Sequence, residues 1–135
     1  MVTSFKTGLG ALVYLIVTQQ LSHAQAPVLQ VGPAVEISAQ VLKDGKIDAP
    51  PFKYSLSSSG GNIGFLISGI PNWLNASFTT GTATTRPMTV TFTLRDSAKI
   101  LKPGSYSGEI IFINTSNGQG TQTRKATLVV TADKQ

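Results

Sequence analysis

The groups able to do acid–base or nucleophilic chemistry are few and scattered. Six carboxylates, Glu36, Asp44, Asp48, Asp96, Glu109 and Asp133, are spread along a chain of 135 residues that has one histidine, His23, and no cysteine. Glycoside hydrolysis needs two carboxylates about 5 to 10 Å apart across a cleft. Only Asp44 and Asp48 lie close in sequence, and they flank Gly45-Lys46-Ile47 in what reads as an exposed turn, where acids are ordinarily solvated. As calcium ligands they are a weak candidate, since that ion takes about six to eight oxygens. His23 lies in a segment expected to be removed, so the remainder has neither His nor Cys. Ser/His/Asp and Cys/His nucleophilic sites and the usual zinc sites are thereby excluded, and no catalytic residue, metal or cofactor is expected.

Aromatic side chains could instead stack on a sugar ring. Trp73 is the only tryptophan, and between Pro71 and Leu74 it reads as a packing residue whose indole N–H meets a backbone carbonyl. Tyr106, just after Pro103-Gly104, reads as a tie at a strand corner. Tyr54, in Pro50-Pro51-Phe52-Lys53-Tyr54, is the freer aromatic and a candidate binding residue.

The first residues, MVTSFKTGLGALVYLIVTQQLSHAQAP, carry one lysine and no acid before an apolar run from Leu9 to Val17. That is the pattern of a cleaved signal peptide. A membrane anchor needs about 20 apolar residues, and Thr18, Gln19 and Gln20 end this run well short. Ser22-His23-Ala24 and Ala24-Gln25-Ala26 compete as cleavage sites, and the second would put Pro27 directly after the cut, where its missing N–H and fixed φ are unfavourable. Cleavage after Ala24 is therefore expected, with residues 1–24 as signal peptide and periplasmic or extracellular localisation. Its removal would leave 111 residues and, with Lys6 gone from eleven basic residues against six acids, a net charge of +4. That length suits one domain. The charges are dispersed, so no nucleic-acid partner is expected, and no membrane span remains once the signal is cut.

Beyond residue 24, β-branched and aromatic runs recur between Gly, Pro, Ser and Asn clusters, the mark of an all-β sandwich. Strands are expected near residues 34–42, 52–57, 64–68, 74–78, 88–94, 106–115 and 121–131, after an N-terminal extension over 25–33 and before a tail over 132–135. Met88 to Leu94 alternates strictly, with Met88, Val90, Phe92 and Leu94 on one face and three threonines on the other. A single helical turn fits residues 96–101, with Asp96 as its cap. The tips over 57–62 and 114–120, and TTGTATT over 79–85, read as loops of the kind through which sandwiches bind. Asn75-Ala76-Ser77 and Asn114-Thr115-Ser116 read as chance matches to the glycosylation pattern.

Cross-strand partners share a face, so apolar residues should oppose apolar residues. A two-residue turn at Asn117-Gly118 would oppose Ile110 to Lys125 and mix core with solvent. An odd loop instead pairs Ile110 with Ala126, Gly108 with Leu128 and Tyr106 with Val130, and is preferred. Ile111, Ile113 and Val129 then share the outer face, either as a surface cluster partly covered by lysine stems or the N-terminal segment, or as a docking surface. They complete the candidate binding set of Tyr54, Ile111, Ile113 and Val129.

From Ile70 the chain carries Pro71, Trp73 and Leu74, Gly81 in a loop, Val90 in a Thr/Val alternation, the turn Pro103-Gly104-Ser105-Tyr106-Ser107-Gly108, Gly118, and the closing Leu128-Val129. Over roughly 60 residues this order resembles the BACON-type and related bacterial immunoglobulin-like modules. The resemblance implies an immunoglobulin-like β-sandwich of about seven strands, and carbohydrate association is the role suggested for that family. The combined expectation is an exported, non-catalytic module that binds a glycan or an envelope protein. The alternative is a structural envelope subunit that assembles by β-strand pairing.

Overall fold

A computed structural model of the protein describes residues 26–42, 46–49 and 51–131. The expected signal peptide and C-terminal tail, and Asp44, lie outside the described residues. The strands are β1 (Leu29–Gly32), β2 (Ile37–Val41), β3 (Ile47–Asp48), β4 (Phe52–Ser58), β5 (Ile63–Ser68), β6 (Leu74–Ala76), β7 (Thr80–Ala83), β8 (Met88–Leu94), β9 (Gly104–Asn114) and β10 (Gln122–Val130), with one 3-10 turn at Asp96–Ile100. They form a four-stranded sheet, β1-β4-β8-β6, packed on a six-stranded sheet, β3-β2-β10-β9-β5-β7.

The protein is an all-β immunoglobulin-like sandwich, and its connectivity shows this directly. In chain order β1, β4, β5, β6, β8, β9 and β10 occupy positions A to G of that fold. A-B-E-D lie in one sheet and G-F-C in the other. β2, β3 and β7 are additions at the edges of the six-stranded sheet.

Alternation builds the core. Val90 and Phe92 point inward from β8 while Thr89 and Thr93 are exposed, and Ile37, Ala39 and Val41 do the same from β2. An aromatic trio joins the layers. Tyr54 and Phe92 from the four-stranded sheet meet Phe112 from the six-stranded one, with ring centroids 5.6 to 6.2 Å apart in tilted or edge-on arrangements.

Four sequence expectations need correction here. The N-terminal extension contains a strand, β1, which pairs with β4 from Leu29↔Ser58 to Gly32↔Ser55. Residues 34–36, expected to begin a strand, instead carry the chain across to the other sheet, where β2 runs parallel to β10. TTGTATT is no loop: Thr80–Ala83 pairs with β5 as β7. Threonine favours strands, and the glycine is accommodated because the Phe65 ring lies against the inner face of Gly81. The final hairpin has the expected faces but a partner shift of two residues, with Ala126 opposite Gly108 and Leu128 opposite Tyr106. The shift puts Arg124 opposite Ile110 on the core side, a position the apolar-pairing rule disfavours.

The 3-10 turn is present but Asp96 does not cap it; Arg95 holds the N-cap position and Asp96 forms an ion pair with Lys99 at 3.7 Å. Tyr106 does tie the corner as expected, its hydroxyl donating to the Lys102 carbonyl four residues upstream.

Candidate functional site

Tyr54 cannot serve as a free aromatic. It is 2 % exposed at the centre of the core, and its hydroxyl donates to the Val35 carbonyl at 2.6 Å. Being on β4 rather than in a loop, it follows the inward parity of Leu56. Burial raises its ionisation above the ordinary phenol value of 10.0, with the nearby Arg124 guanidinium acting in the opposite direction.

Arg124 is the functional-looking residue that sequence reasoning missed. It is 8 % exposed. Its guanidinium donates to the carbonyls of Pro33 (3.1 Å), Val31 (2.9 Å) and Thr123 (3.1 Å) and to Gln122 Oε1 (3.0 Å), and lies 5.8 Å from the Tyr54 ring centroid. The bonds to Val31 and Pro33 fall at the sheet crossover, and those to Gln122 and Thr123 stay within β10. Tyr54 and Arg124 therefore fasten residues 31–35 and are consumed by the fold, leaving no free charge to receive a ligand. Trp73 is also in the core, 4 % exposed. No protein acceptor meets its indole N–H among the described residues, contrary to expectation.

The outer face of the six-stranded sheet is different. Register places Leu66 opposite Ile113 and Ser68 opposite Ile111, so Leu66, Ile111 and Ile113 are neighbours. Leu66 is 37 % exposed and the two isoleucines are half-buried. Thr80 continues the row on β7 beside Leu66, and Thr123 lies beyond Ile111. Val129 is on the same face but does not join them. It pairs with Ser105 and Gln40, six positions along β10 from Thr123, or about 20 Å at about 3.3 Å per residue. The three-residue stripe is thus corrected to Leu66, Ile111 and Ile113. Leu66 was hidden in Phe65-Leu66-Ile67, an apolar run without alternation.

The hairpin tips expected to bind are tied together at one end. Val28 exchanges hydrogen bonds with Ser59, through its N–H to Ser59 Oγ (2.9 Å) and its carbonyl from the Ser59 N–H (3.0 Å). Pro27 O accepts from Asn117 Nδ2 at 3.1 Å, and Leu29 N–H donates to Gln119 O at 3.0 Å. Asn114 is 2 % exposed and bonded to Asn117 and Gln119, so its glycosylation match is structural in origin.

Sheet edges differ in how they are closed. The outward groups of β1 are met by Gln119 O, Gln122 and Arg124, and on β6 Arg95 Nε covers Leu74 O at 3.1 Å. β7 is uncovered. Ile67 N–H donates to Thr79 O, which fixes Phe65 and Gly81 as a hydrogen-bonded pair and turns the N–H and C=O of Thr80 and Thr82 away from β5. A groove of about 390 Å³ lies beside β6, lined by Ile70, Pro71, Asn72, Asn75 and Arg95 among others.

No family model matches the chain, and no curated protein matches it by sequence. Several solved structures are similar in shape at very low identity. A Bacteroides ovatus GH5 xyloglucanase in complex with a XXXG heptasaccharide is 12 % identical over 76 % of this chain and 19 % of its own, with a TM-score of 0.48. The present chain thus spans about a fifth of that enzyme. WR4, a C. elegans MSP family member, is 8 % identical over 76 % of this chain and 97 % of its own, with a TM-score of 0.46. The periplasmic chaperone SfaE is 5 % identical over 78 % and 57 %, with a TM-score of 0.47. No helix among the described residues is long and apolar enough to cross a membrane.

Proposed function

We propose that the chain is an exported, non-catalytic binding module of the cell envelope whose partner is a protein rather than a glycan. The observation that carries this reading is the apolar cluster of Leu66, Ile111 and Ile113 on an otherwise Ser/Thr-rich sheet face. A glycan platform has less support, because Tyr54 and Trp73 are buried and Phe52, Phe78 and Tyr106 are half-buried. For a non-enzyme, the support is dispersion. Glu36, Asp48, Asp96 and Glu109 are far apart in sequence, and the chain has no cysteine and a single histidine in the segment expected to be removed.

The test is affinity capture from envelope extract with immobilised wild type and Ile111→Lys, beside a glycan array. Capture of a discrete protein that Ile111→Lys loses at unchanged melting temperature is the expected result. Equal capture by both removes the cluster from the account, and array binding or sugar hydrolysis overturns the choice of partner or the non-enzyme reading. A structural subunit that assembles by strand pairing is the second reading, and the uncovered β7 edge favours it.

A further inference from the structure

Natural sandwiches blunt their edges with shortness, charge, proline, bulges or covering elements, since an open edge templates further pairing. β7, four residues long, is short but has none of the others among the described residues. From Ser77 to Thr85 the sequence is Ser-Phe-Thr-Thr-Gly-Thr-Ala-Thr-Thr, without a charge or a proline, and Thr80, Gly81 and Thr82 are exposed. The other described edges of comparable length are closed by Gln122 and Arg124 on β1 and by Arg95 on β6.

We infer that β7 pairs antiparallel with β7 of a second copy, with Gly81 on the two-fold axis, joining two six-stranded sheets into one. This rests on the assembly reading, not on the Leu66 cluster. Register selects the occupant. Only Thr80 and Thr82 direct backbone N–H and C=O outward, and a pairing centred on Gly81 opposes Thr80 to Thr82 of the copy and Thr82 to Thr80. All four outward groups of each strand are then satisfied in closed symmetry. A centre at Thr82 would oppose Thr80 to Thr84, whose carbonyl already accepts from Ser58 N–H at 2.7 Å.

Side chains agree with that centre. Gly81 sits where the two strands approach most closely, at a non-hydrogen-bonded pair about 4.5 Å apart, and its inner face is already filled by Phe65, whose ring stands 3.0 Å from the position of an added Cβ. Thr80 and Thr82 point to the outer face and meet as Thr–Thr cross-strand pairs, a favourable combination. Charge agrees as well: β7 brings no charge of its own, so two copies of a basic chain meet there without adding like charges at the joint.

The experiment uses the mature chain in sedimentation equilibrium from about 10 μM to 1 mM, the concentration range of a weak association. The weight-average mass is expected to rise towards twice the monomer in wild type and to stay at the monomer in Thr82→Pro, which removes an outward N–H without touching the β5 ladder. The Thr80→Lys/Thr82→Lys double variant, which places four ammonium groups at the joint, should do the same and decides the matter if the proline variant unfolds. Because the chain has no cysteine, register is read by oxidation: Thr80→Cys mixed with Thr82→Cys should give a disulfide dimer at least tenfold faster than either alone. A wild type that stays monomeric at 1 mM overturns the proposal and self-assembly together. Oligomers that survive the lysine variant, or faster cross-linking of either cysteine variant with itself, overturn the Gly81-centred joint while leaving assembly through another surface.

Discussion

Arg124→Met should cost about 3 kcal/mol of folding stability, and the reason is that it removes donors while leaving their acceptors in place. The guanidinium makes four hydrogen bonds. Two go to Thr123 O and Gln122 Oε1, on residues with access to water, which can replace them. The other two hold Val31 O and Pro33 O at the crossover, on a half-buried and an exposed residue, so each is taken at the lower end of the about 1.5–3 kcal/mol that a bond from a charged donor contributes. Two such bonds give about 3 kcal/mol, to which the contact with the Tyr54 ring adds about 0.5–1 kcal/mol. Releasing a buried cation and keeping an apolar stem in its place offset part of that. Exchanging a whole buried ion pair for apolar groups is often neutral because both partners leave together; here the carbonyls remain. For a domain of about 100 residues, 3 kcal/mol lowers the melting temperature by about 12 °C, at about 4 °C per kcal/mol. Urea unfolding at constant slope, with calorimetry, measures it. A variant within about 0.5 kcal/mol of wild type would refute the view that Arg124 fastens the crossover, because it would mean that water or chain relaxation serves those carbonyls equally well.

Tyr54→Phe removes the 2.6 Å bond to Val35 O and should cost about 1–2 kcal/mol near neutral pH. Burial raises the Tyr54 ionisation above 10.0, so its neutral form stabilises the fold fully below that pH and the contribution fades as pH rises through the folded value. Stability of the wild type should therefore fall more steeply above pH 10 than that of Tyr54→Phe, which a series of urea midpoints would show or disprove. Trp73→Ala should lose about 3–5 kcal/mol, the usual cost of emptying a large aromatic site; lost partner binding at an unchanged melting temperature would place the indole at a surface instead. Intact mass of the exported protein should correspond to a start at Gln25, and a start at Pro27 or an uncut chain would show the proline argument to be wrong.

Much of the sandwich is legible because alternation survives in the chain. Met88 to Leu94 fixes both its strand and its inner face, and the parity of β9 and β10 follows from apolar residues two apart. Pro71, Trp73, Tyr106 and Gly108, which carry the resemblance to bacterial immunoglobulin-like modules, all occupy structural positions. Trp73 is buried, Tyr106 ties its corner, and Pro71 packs so closely on Gly108 that a Cβ there would come within 2.8 Å of its ring. Those residues report the fold and say little about a ligand. What stays hidden is whatever depends on pairing between distant segments. The inward Arg124 looks like a surface residue beside Lys125 until Val31 and Pro33 are brought to it. β1 and β7, of four residues each, are too short to show a period. Tyr54 follows two prolines and resembles a loop residue, yet the strand begins at Phe52, and parity then turns its ring inward.

The most direct measurement of the binding role is site-specific photo-crosslinking in the living source cell, with a benzophenone side chain placed in turn at Leu66, Ile113, Ser38 and Val129. All four positions face outward from the six-stranded sheet, so they differ in location and not in layer. A protein adduct of one defined mass at Leu66 and Ile113, absent at Ser38 and Val129, is the expected result. No adduct at Leu66 and Ile113, or the same adducts at all four positions, would contradict a partner surface built on Leu66, Ile111 and Ile113.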